Sequence, residues 1–332
     1  MQTSKLFALL PEEYVCTPDG MEIDKNGDLI LSCPNYADDE MSGCVVRITK
    51  ERKISKWFDV PVHPQTGIAR NMGIAFDSEW NMYLCDNQGW SGKEELAFKG
   101  RILKVIFDEN RQVKDWYTVA DNMEHPNGCR VYGRWLYVTQ SYLTRVPDKS
   151  GKLVSCVYRF PLDAKNIDIS NTLEDEYIFK TFITHNPRCQ YGCDGIEITS
   201  DGQLFVGNYG DGEVWRIRLD ENGDILEEEV YAKNPAELNS TDGMIMDENT
   251  GNLYIADFNA NAIVMVDKNR NVRRIAQSPD CDGLHGELDQ PGEPIIWDGI
   301  VVASCFDLVT DETKVNTAHE MPATMAYLEL EP

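Results

Sequence analysis

Three aspartates in this chain, Asp19, Asp194 and Asp242, each stand directly before a glycine at the head of an apolar run, and Asn127 holds the same place in a fourth run. Met72 and Glu293 head two further runs of the same kind. Brought together, so many carboxylates would repel one another strongly unless a positive charge sat between them. A divalent cation is the simplest relief. Oxygen ligands alone, with no Cys or His among the six positions, suit a hard ion, so Ca²⁺, Mg²⁺ or Mn²⁺ is favoured over copper, and Zn²⁺ stays open because it accepts carboxylates. Asp-Gly and Asn-Gly are also ordinary turn dipeptides, and the spacing alone leaves both readings standing.

A repeat is what would bring these residues together. The stretch DGMEIDKNGDLILS from Asp19 returns as DGIEITSDGQLFVG from Asp194 and as DGMIMDENTGNLYIAD from Asp242, with weaker copies from Met72, Asn127 and Glu293. The six starts are 53, 55, 67, 48 and 51 residues apart, the length of a four-stranded propeller blade with its loops. Each unit reads as a hairpin around Asn-Gly, Asp-Gly or Tyr-Gly, then a third strand beginning at Cys44, Arg101, Cys156, Glu213, Ala262 or Met325. Fourth strands are expected at 54–58, 113–118, 176–181, 225–231 and 272–276, and the N-terminal segment 5–9 is expected to supply the sixth and close the ring. The strings 24–28 and 220–224 resemble calcium loops but lack the full ligand set, and read as turns. The expectation is an all-β chain forming one six-bladed β-propeller over 1–332, with the six head residues ringing the central channel.

The segments Pro18-Asp19-Gly20-Met21, His125-Pro126-Asn127-Gly128-Cys129 and Cys193-Asp194-Gly195-Ile196 resemble the senescence marker protein (regucalcin)/gluconolactonase family, to which diisopropyl fluorophosphatase is related, across roughly residues 14–310. The resemblance implies a central divalent metal held by a Glu, two Asn and an Asp from the first four blades, with lactone or organophosphate hydrolysis as common activities. Carried onto this chain, Asn127 matches the third-blade Asn and Asp194 the fourth-blade Asp, while Asp19 stands where the family has Glu. In the second blade the register falls on Met72, and the nearest Asn is one place earlier. A one-residue shift reverses the face of a side chain, so Asn71 is expected to reach the channel through a bulge.

A metal at such a ring polarises a carbonyl and acidifies water, and Asp194 or Asp242 is placed to act as general base. His125, beside the Asn127 unit, and His285 and His319, in loops flanking the sixth blade, are the expected proton donors. Trp90, Arg70, Tyr191 and Glu293 are the expected substrate contacts. Together these features suggest a hydrolase opening a small cyclic substrate, most simply a lactone. The alternatives are hydrolytic C–C cleavage of a cyclic diketone at the same site, a non-catalytic calcium-binding propeller, and a metal-free strictosidine-synthase-like propeller using Glu293.

Composition narrows the partners. With 31 Lys+Arg against 56 Asp+Glu, the net charge of −25 disfavours nucleic acid and anionic membranes. The N-terminal apolar patch is too short for a secretory signal, and the ten scattered cysteines, with no C-x-x-C pair, fit free thiols in a reducing, cytoplasmic setting.

Overall fold

The computed structural model describes residues 1–330. Its six blades are antiparallel sheets of four strands arranged about a central channel. In chain order the first five are built from Met21–Ile23, Leu29–Cys33, Cys44–Ile48 and Ile54–Asp59; Asn71–Phe76, Met82–Asp86, Gly100–Phe107 and Val113–Met123; Pro126–Tyr132, Trp135–Gln140, Leu153–Pro161 and Ile178–Thr184; Cys193–Ile198, Gln203–Asn208, Glu213–Leu219 and Ile225–Lys233; and Met244–Asp247, Asn252–Asp257, Ala262–Val266 and Val272–Gln277. The sixth joins Pro291–Trp297, Ile300–Cys305 and Thr324–Glu329 to the N-terminal Lys5–Leu9, which pairs antiparallel with Thr324–Glu329 and closes the ring as expected. The 67-residue spacing between Asn127 and Asp194 accommodates an excursion in which Ile167–Asp168 adds a parallel fifth strand to the second blade. No helix among the described residues is long and apolar enough to cross a membrane, and the ten cysteines are free thiols.

Turn chemistry fixes the hairpins. Asp24 Oδ1 accepts the backbone N–H groups of Asn26 at 2.8 Å and Asp28 at 3.0 Å, Asp220 Oδ1 does the same for Asn222 and Asp224 at 2.8 Å, and Asp77, Asp108 and Asp267 repeat the arrangement. Between neighbouring blades the inward-facing residues form six apolar cores, for example Tyr83 and Ile102 against Val138 and Tyr158, or Trp297 and Met325 against Met21 and Leu29. A seventh cluster, built on Met72, Tyr209, Phe258 and Phe306, lies at the mouth of the channel.

The Asp-Gly repeat proves to be packing chemistry. Gly20, Gly73, Gly128, Gly195 and Gly243 are absent from the residues with positive φ. Instead each inner strand presses against the next. A Cβ on Gly20 would lie 2.7 Å from Met72 O, on Gly73 2.6 Å from Asn127 O, and on Gly195 2.0 Å from Asp242 O. Glycine is needed here because the backbones approach too closely for any side chain. In the sixth blade the order is reversed, Gly292-Glu293. Pro294 faces Ala303 in the way that Ile196 faces Val206 and Ile74 faces Leu84, so the ring position of this blade is Gly292, and Glu293 sits one residue deeper.

Candidate functional site

Asp19, Met72, Asn127, Asp194 and Asp242 form the floor of a cavity of about 600 Å³ at the channel mouth. Its walls are Trp90, Tyr142, Tyr191, Tyr209, Phe258 and Phe306, and its rim carries Arg188, Asp311, Glu312 and Lys314. Three of the six wall aromatics have a common origin: Tyr209, Phe258 and Phe306 are each the first residue after the second strand of their blade. That pattern is visible in the sequence once the blades are aligned, although without the alignment only Trp90 and Tyr191 stand out. Tyr36 stacks on Trp90 at 4.2 Å between ring centroids, and Trp90 leans on Phe306 at 5.3 Å, so the wall is continuous.

The floor is electrostatically strained. Burial pushes the Asp19 carboxyl up to about 7. Asp194 and Asp242 are driven well above the ordinary carboxylate range, first by burial and then by one another's neighbours: Asp19 and Glu293 act on Asp194, and Asp194, Asp19 and Glu293 act on Asp242. Asn127 donates through Nδ2 to Tyr191 Oη at 3.2 Å and Ser141 Oγ at 3.4 Å. At Gly292 a Cβ would lie 3.0 Å from Asp19 Oδ1, so the absence of a side chain there keeps the space beside Asp19 open. Three acids and an amide around an open axis fit a hard divalent cation by donor chemistry and by charge. Asp242 brings a third carboxylate to a floor to which the second blade contributes only Met72.

One tier below, Arg130 Nε binds Glu197 at 2.8 Å and Arg130 Nη2 binds Glu293 at 2.8 Å. Burial works against the Arg130 charge, yet Glu197, Glu293 and Glu22 together hold it firmly protonated. Burial raises Glu197 to about 7 and Glu293 to about 8, with Arg130 opposing both shifts. Nothing in the sequence announces this tier, because Arg130 and Glu197 look like ordinary strand residues until the ring is closed.

Several expected site residues lie elsewhere. The second-blade bulge exists, between Asn71 and Ile74, but Asn71 keeps its regular pairing with Asp86 and turns away from the channel. Its Nδ2 donates to Ser32 Oγ at 2.6 Å and Cys44 O at 2.9 Å in the first blade, leaving Met72 on the floor. Glu293 is outside the cavity lining because it reaches down to Arg130. Arg70 is a buried clamp, its guanidinium donating to the carbonyls of Pro34, Asn35, Asp38, Asp39 and Met41 and so anchoring the loop that carries Tyr36. His125 sits behind the wall, edge-on to Tyr142 and Tyr191, with Asn87 Nδ2 at 3.0 Å from its Nδ1. Burial lowers it to about 3, so it is neutral and a poor proton donor at ordinary pH. His285 is exposed, and His319 is held by the backbone and carboxylate of Asp307; neither lines the cavity.

No family model matches the chain, and no curated protein resembles it significantly in sequence. Solved structures do resemble it. A luciferin-regenerating enzyme aligns with a TM-score of 0.63 at 11% identity over 98% of this chain and 94% of that one. A gluconolactonase from Xanthomonas campestris gives 0.58 at 12% over 99% and 96%, and a streptogramin B lyase 0.57 at 14% over 99% and 98%. What they share with this chain is the propeller. The activities for which these proteins are named differ from one another, so the choice of chemistry rests on the cavity.

Proposed function

We propose that the protein is a divalent-cation-dependent hydrolase that opens a small cyclic substrate, most simply a lactone. The observation that carries this reading is the convergence of Asp19, Asp194, Asp242 and Asn127 on the floor of an aromatic-walled cavity of about 600 Å³, a volume suited to a small organic molecule. A cation held by these four residues would polarise a ring carbonyl and make water nucleophilic near neutral pH. Asp242, whose Oδ1 accepts the N–H of the adjacent Gly243 at 2.9 Å, is placed to take a proton from the attacking water. Tyr191, bonded to Asn127, and Tyr142 beside it hold protonated hydroxyls that can donate to the leaving oxygen. The wall aromatics grip the faces of the ring and exclude bulk water from it.

The aromatic wall also supports the second reading. Its ring faces, Trp90, Phe258 and Phe306 above all, favour a flat ring that can stack against them, and Tyr142, Tyr191 and Tyr209 offer hydroxyls to carbonyl oxygens at its edge. A cyclic 1,3-diketone meets that description. Water adding to one carbonyl, with loss of its proton to Asp242, would be followed by C–C cleavage. The released electron pair is accommodated on the second carbonyl as an enolate, which takes a proton to give the ring-opened ketoacid.

The test strips the protein with a chelator and assays it on lactones and on cyclic 1,3- and 1,4-diones, with Ca²⁺, Mg²⁺, Mn²⁺ or Zn²⁺ restored in turn. Turnover is expected only with a cation present, and Asp194→Ala is expected to lose both turnover and the cation bound at the floor. Full activity in the stripped protein, or in Asp194→Ala, overturns the mechanism. Cation binding without turnover on either panel favours a cation-binding propeller instead.

A further inference from the structure

The acidic floor of the cavity is not the tightest group of carboxylates. Among the described residues, Asp289, Asp307 and Glu320 bring their ligand oxygens within 4.8 Å of one another, and His319 Nδ1 flanks the group at 3.3 Å from Asp307 Oδ2. They come from separate stretches: Asp289 precedes the inner strand of the sixth blade, Asp307 follows Ile300–Cys305, and Glu320 lies near the end of the loop 306–323. None of them belongs to the cavity floor.

Crowded acids alone are common. Here two further observations concern atoms that lack a partner. Asp289 is 1% exposed and its Oδ1 has no hydrogen-bond partner, although it belongs to a carboxylate that faces the other two. Asn316, 2% exposed, touches Asp307 Oδ1 through Nδ2 at 3.2 Å, and its own Oδ1 is likewise buried and unpartnered. Glu320 Oε2 is a third such oxygen. Buried acceptors without donors are rare in native proteins and call for a missing partner. One cation among the three carboxylates answers the orphaned oxygens of Asp289 and Glu320 together, and turning the Asn316 amide over, which exchanges its Nδ2 and Oδ1, would offer the group a neutral fourth oxygen. Oxygen donors from a carboxylate trio and a side-chain amide, set in irregular loops, are the environment that calcium takes in preference to softer metals.

We propose that Asp289, Asp307, Glu320 and Asn316 form a second divalent-cation site of the calcium class, which anchors the loop 306–323. That loop carries Phe306, Val309, Asp311, Glu312, Thr313 and Lys314, all of which line the substrate cavity. The cation is therefore a tie that sets one wall of the cavity from outside it. Gln290 supplies a second tie, since its Oε1 accepts the N–H groups of Leu308 and Val309, each at 2.9 Å, and its Nε2 donates to Val309 O at 2.7 Å. Loss of the cation should therefore loosen the distal part of the loop, near Lys314 and Asn316, more than its start. The site does not depend on the hydrolase reading.

The experiment uses full-length protein freed of metal, with Ca²⁺ alone as the probe. Equilibrium dialysis of Asp194→Ala, in which the cavity floor is disabled, is expected to retain one bound Ca²⁺ per chain, and adding Glu320→Gln should weaken that binding at least about tenfold because one ligand charge is lost. In the otherwise wild-type chain, Ca²⁺ is expected to slow tryptic cleavage after Lys314, and Glu320→Gln or Asp289→Asn to abolish that protection. The proteolysis readout stands even if Asp194→Ala fails to fold. Equal Ca²⁺ binding with and without Glu320→Gln, or cleavage at Lys314 that is indifferent to Ca²⁺, overturns the site.

Discussion

At the scale of single residues, the channel is governed by two demands, close backbone approach and compensated charge. The first predicts that Gly195→Ala is among the most damaging small substitutions available. The added Cβ would meet Asp242 O at 2.0 Å, and backbone cannot yield as a side-chain tip does, so a loss of about 3 kcal/mol or more is expected in denaturant unfolding. Gly133, with φ of 58° and open space within 4 Å of where a Cβ would stand, should lose only about 1 kcal/mol on the same change. Equal effects at the two positions would refute the packing account. The second demand centres on Arg130. Arg130→Met leaves Glu197 and Glu293 buried without their cation, an uncompensated state that costs about 3–5 kcal/mol. Both carboxyls already sit high, at about 7 and 8, and lose their lowering partner in the variant. They can escape the penalty by taking up protons, so the destabilisation should be greatest at alkaline pH and shrink towards pH 5. A deficit in unfolding free energy that does not vary with pH would show that Arg130 acts by packing alone.

At the scale of elements, ring closure rests on one short strand. Lys5–Leu9 completes the sixth blade, and Phe7 packs edge-on against Trp297 at 5.7 Å. Deleting residues 1–9 exposes the edge of Thr324–Glu329, an open template for association. The truncated chain is expected to melt at lower temperature and to aggregate, and a synthetic peptide of residues 1–12 should partly restore its melting temperature; an unchanged melting curve would mean that the ring holds without its clasp. This closure is legible in the sequence because the sixth unit lacks a fourth run while an apolar run stands unused at the N-terminus. Blade number and the floor residues Asp19, Asn127, Asp194 and Asp242 are legible for a similar reason, since a repeat displays each position several times over. Where the repeat is imperfect, legibility fails. The reversed Gly292-Glu293 moves a carboxylate one residue off the ring, and only strand pairing reveals that. Asn71 is lost to the channel because a bulge turns the residues within it, Met72 and Gly73, and leaves the preceding residue in its regular pairing. The roles of Arg70 and the three histidines depend on contacts between distant loops, which no local spacing encodes.

At the scale of the whole molecule, the charge of −25 has a buried component that makes stability depend on pH. Asp19 and Glu197 are raised to about 7, Glu293 to about 8, and Asp194 and Asp242 are raised as well. A carboxyl whose folded value lies above its unfolded one binds more protons in the folded state, so its contribution is fully present below about pH 4 and is lost as pH rises through the folded value. The cation-free protein should therefore lose on the order of several kcal/mol between pH 5 and pH 8, and surface self-repulsion adds to the loss with the same sign. Divalent cations are expected to reverse the trend if, as proposed, they bind the deprotonated floor. Saturation at about a hundredfold excess over Kd contributes roughly 2.7 kcal/mol per site, and proton competition makes that gain larger at pH 8 than at pH 5.5. Melting temperatures measured with chelator and with Ca²⁺ across this range should accordingly diverge as pH increases. Glu320→Gln should separate the contributions, removing the share proposed for the loop 306–323 and leaving that of the channel. Buried His125, lowered to about 3, and His63, also lowered, work against this trend between pH 5 and the ordinary histidine range. They are two groups against five raised carboxyls, so chelated protein that grows more stable from pH 5 to pH 8 would contradict the assignment of raised carboxyls to the channel.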